Sequence, residues 1–173
     1  MWDTENGEDV YDEINVIKPG FNSGWIKVMG PIARTGISGE DQLVNLLGSK
    51  YIDPIFSWKN VVAVTGIEFL NSSKLGDKYK GNVFVGDYNN GNLYFFKLNN
   101  TRTGFNFNSN QQPGGLSDLV ADNDQEVSEV TFGTGFGAIT DVKTGPDGYM
   151  YIISITDGNI YRILPMTTTT VTQ

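Results

Sequence analysis

Apolar and polar positions alternate along this chain in short stretches, which is the period expected of β-strands. The clearest example is a set of three stretches separated by turn residues: 138–142, 149–156 and 159–164. Asp157-Gly158 lies between the last two, and an Asp-Gly pair favours a two-residue hairpin turn. That turn would place Ser154 opposite Tyr161. The pattern therefore predicts a three-stranded antiparallel unit.

A second hairpin is predicted over residues 82–98, where apolar stretches flank Asn90-Gly91. The segment Gly91-Asn92-Leu93-Tyr94 recurs later in the chain as Gly158-Asn159-Ile160-Tyr161. Repeated all-β units of equal size are typical of a β-propeller. A β-sandwich with ordinary hairpins explains the same pattern equally well, so periodicity alone leaves both architectures open.

The rest of the chain also predicts mainly extended structure, over residues 1–6, 12–17, 22–29, 51–70 and 127–132. Residues 39–48 are the best helix candidate, because Leu43, Leu46 and Leu47 share one helical face. Residues 100–124 are rich in Asn, Gly, Gln and Ser without a clear period, which predicts a loop. Residues 166–173 form a polar tail.

Composition narrows the possible functions. Glycine supplies 21 of 173 residues, above the usual ~7%, which agrees with many tight turns. A net charge of −8 without a basic patch argues against a nucleic-acid partner. No apolar stretch approaches the roughly 18 residues that a membrane span needs. The chain has no Cys and no His, so by itself it offers no disulfide, no thiolate or imidazole zinc ligand and no histidine base.

Four segments resemble the C-terminal half of the glucose/sorbosone dehydrogenase family. In order they are WDTENG…DEINVIKPGFNSGW, PIFSWKNVVAVTGIEF, GNVFVGDYNNGNLYFFKL and GAITDVKTGPDGYMYIISITDGNIYRI. Members of that family are six-bladed β-propellers, many of them secreted, that use pyrroloquinoline quinone and calcium to oxidise C1 of aldose sugars. The resemblance implies an all-β, propeller-type chain with about three blades over residues 1–165, the first lacking its innermost strand. It also implies an extracellular or periplasm-like location.

The resemblance assigns five positions to the cofactor pocket. The family's lysine that pairs with quinone oxygens corresponds to Asn89, and two arginines that bind the quinone carboxylates correspond to Ala138 and Thr140. Trp58 and Thr65 match pocket-lining positions. A charge-assisted hydrogen bond contributes roughly 1.5–3 kcal/mol. Three neutral replacements therefore predict that quinone affinity falls by several orders of magnitude.

The family's calcium is held partly by main-chain carbonyls, and their positions correspond to Gly7 and Glu8. Carbonyl ligation depends on backbone shape rather than on the side chain, so the resemblance implies that calcium binding can persist. Four more carboxylates lie nearby in the sequence: Glu5, Asp9, Asp12 and Glu13. Their density is compatible with a hard-cation site and equally with a turn whose carboxylates face water.

Two family features would fall before Met1, namely the catalytic histidine and an Arg-Asn pair that holds the quinone carbonyls. The chain alone is therefore predicted to be inactive as a sugar dehydrogenase. The alternative is a non-enzymatic propeller that binds a carbohydrate, calcium or a protein, and a hydrolase is the third hypothesis. Unpaired sheet edges are rarely left bare. We therefore expect the remainder of the ring to come from upstream sequence or from a second chain.

Overall fold

The computed structural model describes residues 1–107 and 115–165, so the predicted polar tail, 166–173, lies outside it. The described residues form thirteen β-strands, three short 3-10 turns and one α-helix. No helix in these two ranges is long and apolar enough to cross a membrane. The elements are β1 Trp2–Glu5, β2 Asp12–Val16, β3 Phe21–Asn22, β4 Lys50–Tyr51, β5 Phe56–Trp58, β6 Val64–Phe69, β7 Val83–Asp87, β8 Leu93–Phe96, β9 Val120–Ala121, α1 Asp124–Val130, β10 Thr131–Gly133, β11 Ile139–Thr144, β12 Met150–Ser154 and β13 Asn159–Ile163.

Three sheets follow one another along the chain. Their strand orders are β1-β2-β5-β9, then β10-β8-β7-β6, then β11-β12-β13, and β3 and β4 form a separate parallel pair. Pairing within the three sheets is antiparallel except between β5 and β9. Strand β6 contacts both β1 and β11, so the three sheets stand side by side. That the first blade lacks its innermost strand stays a prediction.

The burial pattern of each strand reflects how many neighbours its sheet has. All five residues of β7 are buried, because the second sheet is covered on both faces. Strand β12 instead alternates, with Met150, Ile152 and Ser154 buried and Ile153 exposed. Such alternation is expected of a strand whose sheet is covered on one face. The third sheet therefore has one face covered within the described chain and one face open.

Packing between adjacent sheets supplies the core. The first cluster includes Phe56, Trp58, Tyr94 and Phe96 and joins the first sheet to the second. The second cluster joins the second sheet to the third and contains Leu70, Leu75, Phe84, Leu93, Ile139, Val142, Met150 and Ile152. Fully burying an apolar side chain of this size contributes about 1.5–3 kcal/mol. Contacts between sheets thus hold the array together.

The repeated hairpin is confirmed, but its loops are longer than predicted. Ser154 pairs with Asn159 rather than with Tyr161, which leaves residues 155–158 as a four-residue loop. In the first copy the amide of Asp87 likewise bonds to the carbonyl of Asn92. The glycine of each Asn-Gly or Asp-Gly pair ends the loop in the left-handed conformation, with φ of 64° at Gly91 and 63° at Gly158. The pair closes the turn instead of forming its centre.

The helix predicted over 39–48 is wrong. Only Glu40–Gln42 forms a 3-10 turn, and the side chain of Leu47 is fully exposed. A short helix is marginal in water unless its apolar face packs against something. The helix lies instead at Asp124–Val130, where a loop and a strand were predicted. Its signal was the capping residue Asn123, which accepts a hydrogen bond from the amide of Glu126 at 3.1 Å.

Candidate functional site

A cavity of about 380 Å³ lies where the second and third sheets meet. Its lining includes Asn89 and Ala138, two cofactor positions that the resemblance assigned in separate segments. The other lining residues are Tyr88, Asn90, Gly91, Gly137 and Thr156. Each of the seven is uncharged at neutral pH. Within the described parts of the chain, the lining therefore offers amide and hydroxyl groups but no cation.

Two glycines allow the loops around this cavity to touch. A Cβ placed on Gly91 would lie 2.6 Å from the carbonyl oxygen of Gly137, and one on Gly137 would lie 2.5 Å from Oγ1 of Thr156. The amide of Phe136 donates to the carbonyl of Gly91 at 3.1 Å, and the amide of Ala138 donates to Oγ1 of Thr156 at 2.8 Å. These close approaches and hydrogen bonds thus fix the cavity wall.

The hairpin loop that carries Asn89 is organised by Asp87, which is fully buried. Its carboxylate accepts hydrogen bonds from the amides of Asn90 at 2.8 Å and Asn92 at 3.2 Å, and from the hydroxyl of Tyr94. Burial, and then the hydrogen bond to the Asp87 carboxylate, raise the pKa of Tyr94, which keeps its hydroxyl a donor. No pattern in the sequence indicated this supporting role of Asp87.

Asn89 itself is tied to the connection before β6. Its amide donates to the carbonyl of Val62 at 3.1 Å, and its side-chain Nδ2 donates to the carbonyl of Val61 at 3.2 Å. The side chain is nevertheless exposed. Asn89 thus stands on a fixed backbone at the cavity rim, where a longer side chain could extend without displacing the core.

The other three predicted pocket residues do not line this cavity. Trp58 is fully buried in the first cluster, with its ring centre 4.8 Å from that of Phe56, and its role in the cofactor pocket stays a prediction. The Oγ1 of Thr65 lies 3.1 Å from the carbonyl oxygen of Gly86, and its own carbonyl accepts from Thr4 at 2.9 Å. Thr140 is exposed on β11. Of the five, Asn89 and Ala138 line this cavity, and Thr65 lies close to it, since its Oγ1 donates to the carbonyl of Ile139 at 3.0 Å.

Strand β2 begins with a buried carboxylate, Asp12, that holds the acidic turn before it. Asp12 is fully buried, and its Oδ1 accepts from the amide of Gly7 at 2.9 Å. Its Oδ2 accepts from the amides of Val62 at 2.7 Å and Ala63 at 2.6 Å. Burial raises the pKa of Asp12 and these amide hydrogen bonds oppose that rise. Asp12 thus links the turn to the connection between β5 and β6.

Glu13 is also buried, with 1% of its surface exposed. Burial raises the pKa of Glu13 to about 7, against hydrogen bonds from the Asn15 side chain and the Gly30 amide. The charges of Glu5 and Asp53 raise it further. This carboxyl group therefore titrates near neutrality inside the first sheet.

The predicted calcium ligands lie at the edge of this region. The amide of Glu8 donates to Sδ of Met29 at 3.0 Å, so both Gly7 and Glu8 have their amides engaged by neighbouring residues. Within the described part of the chain, no three side chains of His, Cys, Asp or Glu group in a way that could hold a metal ion. Calcium ligation by the carbonyls of Gly7 and Glu8 stays a prediction.

Comparison with known proteins identifies the family of the chain. The family model described as Glucose / Sorbosone dehydrogenase matches residues 1–162. An aldose sugar dehydrogenase of Escherichia coli is 26% identical over 170 residues, which is 95% of this chain and 38% of that protein. An uncharacterized protein of Synechocystis sp. is 26% identical over 167 residues, which is 95% of this chain and 33% of that protein. The chain thus spans between about a third and two fifths of the length of these relatives.

Solved structures show the same fold. A glucose dehydrogenase superposes with a TM-score of 0.63 at 21% identity, covering 96% of this chain and 40% of that one. The PQQ-bound aldose sugar dehydrogenase of Streptomyces coelicolor superposes with a TM-score of 0.54 at 24% identity, covering 94% of this chain and 38% of that one. These matches confirm the β-propeller fold class over the sandwich alternative. The chain belongs to the glucose/sorbosone dehydrogenase family.

Proposed function

We propose that this chain is the part of a sugar-dehydrogenase propeller that borders the cofactor pocket, and that it binds the quinone too weakly to oxidise sugars by itself. The observation that carries the proposal is the uncharged lining of the cavity where Asn89 and Ala138 meet. The resemblance implies cations at both positions and at Thr140. A tricarboxylate placed there would lose its charged partners, and each such hydrogen bond contributes roughly 1.5–3 kcal/mol. The residues present do not fit a tightly held quinone.

Quinone titration in the presence of calcium tests this proposal. We expect no thermal shift and no dye-linked glucose oxidation with the chain as it is. The variant Asn89→Lys restores a cation at an exposed position and should increase quinone affinity by about tenfold or more, the equivalent of one charge-assisted hydrogen bond. Asn100→Lys adds the same charge at an exposed position outside the cavity and serves as the matched control. Saturable, quinone-dependent dye reduction by the unmodified chain would overturn the proposal.

A non-enzymatic carbohydrate-binding role is the second candidate, and the chemistry of the same cavity favours it. Tyr88 is 48% exposed and stands beside the amides of Asn89 and Asn90. An accessible aromatic ring flanked by neutral hydrogen-bonding groups suits an uncharged sugar. Calorimetry with glucose and maltose distinguishes the two candidates. Saturable sugar binding without quinone, lost in Tyr88→Ala, would support this role.

We also propose that the remaining blades of the ring pack against the open face of the third sheet. Ile153, Ile155 and Ile160 are 39%, 62% and 69% exposed there. Strand β13 pairs only with β12 among the described strands. The missing blades would come from a longer protein or from a second copy. Size-exclusion chromatography with light scattering tests the second source, because a stable monomer at high concentration would exclude it.

Calcium at the carbonyls of Gly7 and Glu8, and a location outside the cytoplasm, belong to the same proposal. Their support is the family membership of residues 1–162. Calcium added to chelator-treated protein should raise the melting temperature, and an unchanged melting temperature would count against the metal. Fractionation of cells that express the natural gene would test the location.

A further inference from the structure

A second cavity lies beside the β10 edge of the second sheet. Its volume is about 550 Å³, and it shares no lining residue with the cavity around Asn89. Strands β8 and β10 contribute Phe95 and Phe132, and the connection between β6 and β7 contributes Tyr79. A volume of this size lies within the range of about 300–1,000 Å³ found for small-molecule sites. The proposed sugar-dehydrogenase role makes no use of this cavity.

Three aromatic rings line this cavity. The ring of Tyr79 stands edge-on to Phe95, with centres 5.1 Å apart at 84°, and edge-on to Phe132, with centres 5.3 Å apart at 89°. All three side chains are half-buried. Edge-to-face packing fixes the rings against one another while part of each stays accessible. They therefore form a preorganised surface for another aromatic ring.

Two lysines add positive charge to this aromatic surface. Lys78 holds its Nζ 4.6 Å from the ring centre of Tyr79, and Lys97 also lines the cavity. Neither ammonium forms an ion pair within the described ranges, although the protein has a net charge of −8. Among the described residues that line the cavity, Glu129 is the single acidic one. The lining therefore carries a net positive charge.

We propose that this cavity binds small carboxylates that carry an aromatic ring. The ring would pack on Tyr79, Phe95 and Phe132, and the carboxylate would accept hydrogen bonds from Lys78 and Lys97. Both features are required. The aromatic surface by itself does not select for charge, and exposed lysines by themselves bind anions weakly because water and salt screen them. The chemistry selects an aromatic acid rather than an amine or a neutral ring.

Calorimetric titration with 2-naphthoate tests the proposal, with the neutral analogue 2-naphthylmethanol as the comparison ligand. We expect saturable binding of the acid and affinity at least about tenfold lower for the alcohol, a difference of about 1.4 kcal/mol. Lys78→Met and Lys97→Met keep an apolar stem and remove the charge, and each should weaken naphthoate binding by a similar factor. Lys80→Met is the matched control, since Lys80 is exposed on the same connection but does not line the cavity.

Glu129→Gln should have the opposite effect and tighten naphthoate binding, because it removes a negative charge from the cavity lining. All four variants lie at exposed positions, so circular dichroism should show an unchanged fold. No saturation by 2-naphthoate, equal binding of acid and alcohol, or equal affinity for the Lys78→Met, Lys97→Met and Lys80→Met variants would each overturn the proposal. Naphthoate binding should be unaffected by Asn89→Lys, which separates this site from the cofactor cavity.

Discussion

The two copies of the repeated hairpin contain the same tyrosine–aspartate hydrogen bond, which is buried in one copy and exposed to solvent in the other. In the second sheet Tyr94 donates to Asp87, and both residues are fully buried. In the third sheet Tyr161 donates to Asp157 at 2.6 Å, and Asp157 is exposed. The chain thus provides a matched internal comparison. We predict that the buried pair stabilises the fold several times more than the exposed pair does.

The expected loss in the free energy of unfolding depends on which hydrogen-bonding groups each substitution leaves without a partner. Asp87→Ala leaves the Tyr94 hydroxyl buried without its acceptor, which costs about 1–3 kcal/mol. It also removes the acceptor for the amides of Asn90 and Asn92, which water can partly replace because Asn90 is exposed. We therefore expect the free energy of unfolding to fall by about 3–4 kcal/mol. Asp157→Ala should lower it by less than about 1 kcal/mol, because water reaches both partners.

Urea denaturation followed by tryptophan fluorescence and by circular dichroism measures both changes. The two probes must give coincident transitions for the free energies to be comparable. The double-mutant cycle of Asp87→Ala with Tyr94→Phe should give a coupling energy of about 1–2 kcal/mol. The corresponding cycle at Asp157 and Tyr161 should give a value near zero. Equal losses for Asp87→Ala and Asp157→Ala would refute the argument that burial decides the strength of this bond.

Two further predictions concern the first sheet and the contact between the second and third sheets. Burial raises the pKa of Glu13 from 4.5 to about 7. Between these pH values the folded state therefore binds more protons than the unfolded state. The free energy of unfolding should fall as the pH rises from about 4.5 to 7. Glu13→Gln should make this fall smaller in pH-dependent urea titrations, and the part that remains belongs to other buried carboxyls such as Asp12, whose pKa is also raised by burial. A variant with an unchanged pH profile would show that Glu13 does not contribute to the fall. A Cβ on Gly66 would lie 2.7 Å from the Val142 amide, so Gly66→Ala should push β6 from β11 and cost about 1–3 kcal/mol. Gly104→Ala is the control for thermal unfolding, because its Cβ would meet only the side-chain Nδ2 of Asn99 at 3.2 Å. Equal melting temperatures for the two variants would contradict the close approach of β6 to β11.

Much of the local structure followed from sequence patterns. Alternation located the strands of the third sheet, and the Gly-Asn-apolar-Tyr repeat identified two copies of one hairpin. These signals are local, because neighbouring residues on a strand face opposite sides. The prediction of a helix at 39–48 was wrong because the stability of that helix depends on a contact that is not local. Its leucine face required a partner surface, and no local pattern shows whether one exists.

The candidate site was predictable only in part. The resemblance assigned Asn89 and Ala138 to one pocket, and both line the cavity between the second and third sheets. Trp58 was assigned to the same pocket but packs in the core. An indole ring suits a ligand pocket and an apolar core equally well. Its surroundings come from strands that are distant in the sequence.

The sequence by itself determined the strands of the third sheet, the repeated hairpin, the family and the neutral residues at the positions where that family carries cations. Each of these depends on residue identity or on a short period along the chain. Tertiary structure decided the depth of Asp87 relative to Asp157, the raised pKa of Glu13 and the cavity that joins Tyr79, Phe95 and Phe132. Burial and proximity arise from segments that are far apart in the sequence. No local pattern contains that information.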